Sequence, residues 1–133
     1  SKSYGNTIWM FETGKKLKKV VNQITTDSRP PEEAKDPSSV LLFRFLELFL
    51  EPTELAEWEG RVREGGVDGP GYGHLKVRLI ELIEETFRAG RERREELQRD
   101  PDEIDRLLAL GADRARARAT VVRDRALEAC GLR

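Results

Sequence analysis

The stretch DPSSVLLFRFLELFLEPTELAEWEGRVREGG, residues 36–66, decides the fold class. Asp36-Pro37 is a helix-opening device. The carboxylate can accept from the first free backbone N–H groups, and proline at the first helical position lacks an N–H that would have no partner there. Val40 to Leu50 is apolar almost all round, broken only by Arg44 and Glu47, and this predicts one deeply buried helix. Glu51-Pro52 repeats the opening device, and Gly65-Gly66 closes the third helix of the chain after Arg63-Glu64. No alternating apolar–polar run in the chain is long enough for a strand.

Toward the amino end, Thr25 to Lys35 holds Pro30-Pro31 and reads as a connector. Before it, Leu17, Val20, Val21 and Ile24 fall at i, i+3, i+4 and i+7, the stripe of an amphipathic helix. Lys15, Lys16, Lys18 and Lys19 take its other side, and Thr13 is the expected N-cap. Ser1 to Phe11 has no helical period and contains the turn formers Gly5 and Asn6. Toward the carboxyl end, Gly71-Tyr72-Gly73 reads as a turn into the longest helical stretch, His74 to about Arg99. Its apolar face is Leu75, Leu79, Leu82, Ile83 and Phe87, and beyond Gly90 it is nearly all charge. Asp100-Pro101-Asp102-Glu103 is a third cap, with Glu103 placed for a capping box. Ile104, Leu107, Leu108 and Leu110 follow, then Gly111. A small-residue stripe of Ala112, Ala115, Ala119, Val122 and Ala126 would suit close helix packing. The expectation is an all-α protein, one compact bundle of five to six helices.

The composition narrows what such a bundle can do. With 133 residues the chain suits one domain, and 24 basic against 25 acidic residues give no net field to argue for nucleic acid. No apolar run approaches the ~20 residues of a membrane helix. One cysteine, Cys130, excludes an internal disulfide, and with the single histidine, His74, it cannot form a zinc site. The chain starts Ser1-Lys2-Ser3, without an initiator methionine or a targeting segment, and reads as beginning part-way through something longer.

No nucleophile–base pair suggests itself, since Cys130 lies near the chain end and His74 follows a glycine turn. Glu84-Glu85, Glu95-Glu96 and Asp102-Glu103 fall on solvated faces or helix starts, where acids serve solubility and the helix dipole. The lysines around Leu17 read first as a solvated face. On a helical wheel Arg114, Arg118 and Arg125 border one flank of the alanine stripe and Arg116 and Arg123 the other, with Asp113 and Asp124 on the outer face. Such arginines cover apolar surface and pair with nearby acids, or reach RNA phosphates.

The order of several short blocks carries more information. Ser1-Lys2-Ser3-Tyr4-Gly5-Asn6-Thr7-Ile8 resembles the second half of the Lys-Met-Ser-Lys-Ser loop of class I aminoacyl-tRNA synthetases. Thr25-Thr26-Asp27-Ser28 resembles the Thr-Asp-Ser element one helix later in the tryptophanyl-tRNA synthetases. Asp36-Pro37 sits where that family opens a buried helix. Gly71-Tyr72-Gly73-His74-Leu75-Lys76 is similar to its Gly-Tyr-Gly-x-x-Lys turn, and Ile104-Asp105-Arg106-Leu107-Leu108-Ala109-Leu110-Gly111-Ala112 to its Leu-Asp-x-x-Leu-x-x-Gly-Ala segment. These blocks run collinearly through the chain. Trp9-Met10 and Ala89-Gly90 depart from the family's usual residues, and the first Lys-Met of the loop would precede Ser1.

The resemblance implies the C-terminal part of a bacterial-type tryptophanyl-tRNA synthetase. Residues 1–12 would be the tail of the ATP-binding loop, 13–36 the first helix and connector, and 37–133 a helical anticodon-binding domain. It implies Lys2 as the catalytic cation on the ATP phosphates, flanked by Ser1 and Ser3, with Gly5 and Asn6 letting the loop turn between open and closed positions. Arg91, Arg93 and Arg94, then Arg114 and Arg118, are the candidate tRNA contacts. ATP is implied as substrate and Mg2+ as its companion, with no metal ligand identifiable in this stretch. The implied partners are tRNA(Trp), the absent N-terminal nucleotide-binding domain and, for the full-length enzyme, a second subunit, in the cytoplasm and away from membranes. The fragment alone is expected to be inactive. The other open reading is a stand-alone helical RNA-binding or scaffold module with no catalytic duty.

Overall fold

The structure, a computed structural model, describes residues 4–132. Among these it contains six α-helices, a 3-10 turn after the connector and no strand: α1 Gly14–Asn22, the turn Pro37–Ser39, α2 Leu41–Leu46, α3 Pro52–Glu64, α4 Tyr72–Thr86, α5 Arg88–Arg99 and α6 Pro101–Ala129. The all-α class therefore stands. The chain divides between Arg91 and Glu92 into two compact units, where the sequence suggests a single bundle.

In the first unit α1 and α2 both pack against α4, and α3 packs against α2. The largest fully buried side chains are Leu17, Val21, Leu42, Leu46, Leu75 and Leu79, drawn from α1, α2 and α4. Phe49 meets the Phe87 ring edge-on, with centroids 6.3 Å apart. Every buried hydrophobic residue described lies in this unit. In the second unit neither the rest of α5 nor α6 has a buried residue.

Several local expectations need correction. Asp36 does cap, accepting from the Ser38 backbone N–H at 3.0 Å and the Ser38 hydroxyl at 2.7 Å. The element it opens is a 3-10 turn, because Ser39 also turns its hydroxyl back onto the Asp36 carbonyl at 2.7 Å and Val40 is extended. Helix α2 is therefore six residues long. It buries Leu42, Phe43 and Leu46 but leaves Leu41 exposed, so the helix is one-sided. Thr13 occupies the N-cap position of α1 without a side-chain bond. Helix α4 begins at Tyr72, inside the expected turn, and ends before Phe87, where α5 starts anew. The longest helix is α6, of 29 residues, running through Gly111. One interior glycine costs only about 1 kcal/mol of helix propensity. Asp100 caps α6 by accepting from Glu103 N–H at 3.2 Å, but the Glu103 carboxylate turns to Arg106 and the capping box is half made.

The end of α3 is the position where glycine is required. Gly65 has φ 66° and ψ −147°, and a Cβ there would stand 2.7 Å from the Glu32 carbonyl oxygen and 2.8 Å from the Ala34 nitrogen. This close approach brings α3 against the connector, where Gly66 N–H donates to the same Glu32 carbonyl at 2.9 Å.

Candidate functional site

Ser1, Lys2 and Ser3, the residues of the expected phosphate loop, lie outside the described residues. The segment leaving them is irregular. Gly5 turns with φ 68°, Tyr4, Trp9, Met10 and Phe11 are exposed, and Ile8 packs against the core. Gly5, Asn6 and Ile8 share a hollow of about 200 Å³ with residues of α1, Thr25 and the α2 side chains Leu41 and Phe45.

Helix α1 comes next in the chain, and α4 holds it at both ends. Gly14 N–H, at the start of α1, donates to the Glu84 Oε1 carboxylate oxygen at 3.1 Å. At the other end the Lys76 ammonium donates to the Asn22 carbonyl at 2.9 Å and the Ile24 carbonyl at 3.0 Å. A cation on the free carbonyls of a helix C-terminus, and a carboxylate at its N-terminus, both complement the helix dipole. Lys76 and Glu84 are two turns apart on α4, so the two helices run antiparallel with matched ends, and Leu17 and Val21 are buried between the clamps.

The Thr25–Ser28 element is bound to the same helix. The Asp27 carboxylate accepts from the Arg29 Nε at 2.8 Å, from a second Arg29 guanidinium nitrogen, from Arg29 N–H at 3.1 Å and from the Tyr72 hydroxyl at 2.6 Å. These donors, the Arg29 guanidinium foremost, hold Asp27 well below the usual carboxylate range. Burial, and then the bond to Asp27, push the Tyr72 phenol upward. Lys35, 3% exposed, is bound by backbone carbonyls. Its ammonium donates to the carbonyls of Pro30 at 2.5 Å and Glu33 at 2.8 Å and lies 5.5 Å from the centre of the Tyr72 ring. His74 accepts from Gly71 N–H through Nδ1 at 3.1 Å, closing the first turn of α4. Each polar side chain of the Gly-Tyr-Gly-His-Leu-Lys run thus holds backbone or the connector. Sequence reasoning found the motif but missed the partners, because Asp27 and Tyr72 are 45 residues apart.

The candidate arginines do not form one group. Arg91 is half-buried and turned to backbone, its guanidinium donating to the Met10 carbonyl at 3.3 Å and to the Glu84 carbonyl. Arg93 pairs with Glu96 at 3.0 Å and reaches Glu103 at 3.6 Å. Arg94 is exposed on α5. Arg114 and Arg118 are exposed on α6, as are the alanine stripe's Val122 and the neighbouring Leu108. The stripe therefore lines a surface. Two other arginines of that helix are bound locally, Arg116 to Asp113 and Arg123 to Asp124, each at 2.8 Å. Cys130 is exposed, and among the described residues no three His, Cys, Asp or Glu side chains gather as a metal site. No described helix is long and apolar enough to cross a membrane.

No family model matches the chain. It is similar over all 133 residues, at 45% identity, to the tryptophan–tRNA ligase of Rhodopirellula baltica. It is 38% identical over 132 residues to that of Campylobacter jejuni. The chain spans only 41% and 40% of the length of these two relatives. The crystal structure of tryptophanyl-tRNA synthetase from Campylobacter jejuni superposes with a TM-score of 0.83 at 37% identity, over 98% of this chain and 41% of that one. A second structure of that synthetase, complexed with ADP and tryptophan, gives 0.84. The six-helix, strand-free architecture is thus that of the helical part of an aminoacyl-tRNA synthetase. Over its whole length the chain is thus similar to part of the tryptophanyl-tRNA synthetases.

Proposed function

We propose that the chain is the C-terminal part of a tryptophan–tRNA ligase, supplying half of its ATP-phosphate loop and a helical tRNA-binding region. The observation that carries this is the whole-chain similarity to such ligases at 45% identity, together with the matching backbone at a TM-score of 0.83. Nothing in these comparisons favours a free-standing module.

In this reading the tryptophan carboxylate attacks the α-phosphorus of ATP. An O–P bond forms, the bond from the α-phosphorus to the bridging oxygen breaks, and pyrophosphate leaves tryptophanyl-adenylate behind. A ribose hydroxyl of tRNA(Trp) then attacks the carbonyl carbon of the adenylate, so that an ester forms, the acyl–phosphate bond breaks and AMP leaves. Charge builds on the leaving pyrophosphate, so an ammonium brought to those oxygens lowers the barrier. Lys2 has that role, and Ser1 and Ser3 complete the phosphate contacts. Mg2+ accompanies ATP in the full-length enzyme; the described residues offer it no donor cluster, and no step here runs through it. The exposed Arg93, Arg94, Arg114 and Arg118 are suited to phosphates and single-stranded bases of the tRNA. Arg91 is placed for a different task. The full-length enzyme is further read as a cytoplasmic homodimer built with a nucleotide-binding domain.

The test is tryptophan-dependent ATP–pyrophosphate exchange by the full-length protein with and without Lys2→Ala. Loss of the cation is expected to lower kcat about 10²–10³-fold, as for other preorganised donors. The 133-residue chain alone should show no exchange. Unchanged exchange in the variant would overturn the role of Lys2, and exchange by the chain alone would overturn the fragment reading.

A further inference from the structure

We propose that Arg91 and Glu84 are positioning residues for the ATP-phosphate loop, fixing the path by which the chain leaves that loop for α1. This rests on the functional reading above. Trp9, Met10 and Phe11 are 55%, 52% and 43% exposed, so burial does little to hold the segment. Ile8 before it packs against the core, and long-range polar contacts fix the segment from there on. The Arg91 guanidinium spans two carbonyls, that of Met10 at 3.3 Å and that of Glu84 one helix back. The carboxylate of the same Glu84 receives the Gly14 N–H at 3.1 Å. A Cβ at Gly90 would come 3.5 Å from the Phe11 ring, so the glycine lets that ring lie close to α5.

Arg91 and Glu84 thus grip the segment at two points, Met10 and Gly14, across sequence separations of 81 and 70 residues. Between Met10 and Lys2 the chain is short, and among its described residues 4–9 only Gly5 is left-handed, at φ 68°. A phosphate-binding cation works only within a fraction of an ångström of its target, and remote groups that set its origin act through it. The planar fork of arginine suits this, because two carbonyls at different points are held by one rigid group, which a lysine ammonium on its flexible stem does poorly. Arg91 is proposed as a positioning residue and not as an ATP contact. Its action is on the path of the loop.

The experiment uses the full-length protein with Arg91→Met, Arg91→Lys and Glu84→Met. Arg99→Ala, which removes only a local pair with Glu95, is the control. ATP–pyrophosphate exchange gives the KM for ATP and for tryptophan, gel retardation gives tRNA(Trp) affinity, and thermal melting reports folding. The expected result is a KM for ATP raised about tenfold in Arg91→Met and Glu84→Met, with the KM for tryptophan and tRNA affinity within about twofold. Arg91→Lys should recover part of the loss, since it keeps one donor for the Met10 carbonyl. Equal KM changes for both substrates, or a lowered Tm with no ATP-specific effect in either methionine variant, would reduce the contact to plain structure and overturn the proposal. Loss of tRNA affinity with exchange intact would move Arg91 to the RNA surface and overturn it too. A wild-type protein with no exchange at all would sink the functional reading itself, a distinct outcome.

Discussion

The two units of this chain reach helical structure by different physics. In residues 4–91 helices of six to fifteen residues are too short to persist alone and are held by a shared core and by polar clamps between distant residues. In residues 92–132 one helix of 29 residues carries itself, with ion pairs three or four residues apart and no buried side chain. The first unit is specified by what its residues meet across the chain, the second mainly by what each meets one turn away, with Arg93 to Glu103 as its longer reach. Substitutions should therefore have global effects in one and local effects in the other.

The largest contrast is predicted for two leucines. Leu79 is 0% exposed on α4 and Leu108 is 65% exposed on α6. Leu79→Ala should destabilise the chain by about 2–5 kcal/mol, from lost transfer energy and the cavity left behind. Leu108→Ala should change it by no more than about 0.5 kcal/mol. Urea denaturation followed by circular dichroism measures both. A costly Leu108→Ala would break the comparison.

A smaller effect tests the backbone. Gly65→Ala puts a Cβ at φ 66°, 2.7 Å from the Glu32 carbonyl oxygen, with backbone on the other side that has no room to yield. Such conformations cost about 1–3 kcal/mol for non-glycine residues. In α6, Gly111→Ala meets open space and ordinary helix geometry, and should stabilise by up to about 1 kcal/mol. Opposite signs for the same chemical change, read in the same denaturation experiment, would sharpen the distinction between tertiary and local control.

Sequence reasoning succeeded where the information is local. The caps at Asp36 and Asp100, the stop at Gly65 and the stripes Leu17–Val21 and Leu75–Ile83 all rest on neighbours within a turn or two, and all are present. It failed where local bonds compete or partners are distant. The helix expected from Pro37 breaks at Val40 because Ser38 and Ser39 spend their hydroxyls on Asp36. The small-residue stripe of α6 is legible as a stripe, but whether a neighbour covers it is not a property of its own sequence. At the candidate site the Thr25–Ser28 and Gly71–Lys76 blocks mark segments that meet through Asp27 and Tyr72, yet charged neighbours give Arg91 the look of a fully exposed side chain. Its half-buried fork onto Met10 and Glu84 depends on chain folding over 81 residues.

Two carboxylates that arginine holds below their usual range differ in the reach of their partners. For Asp27 the leading cause is Arg29, with the Tyr72 hydroxyl second; for Glu103 it is Arg106. A carboxylate with a depressed folded-state pKa adds stability that is fully present above its unfolded value, near 3.9 for Asp, and is lost as pH falls below it. Stability tied to Asp27 should therefore be whole at pH 6 and fade on acidification below about 4. Because the Tyr72 bond spans 45 residues, its loss ties directly into the packing of the connector on α4. Asp27→Asn should lower Tm at pH 6 and flatten the acid limb of the Tm-against-pH curve. Glu103→Gln should flatten that limb less, because its leading partner, Arg106, sits three residues on in the same helix and Arg93 of α5 is farther, at 3.6 Å. What Glu103→Gln changes is fraying at the start of α6, seen as faster amide exchange there. If both variants flatten the acid limb equally, the long-range bond of Asp27 adds nothing beyond its local pair with Arg29.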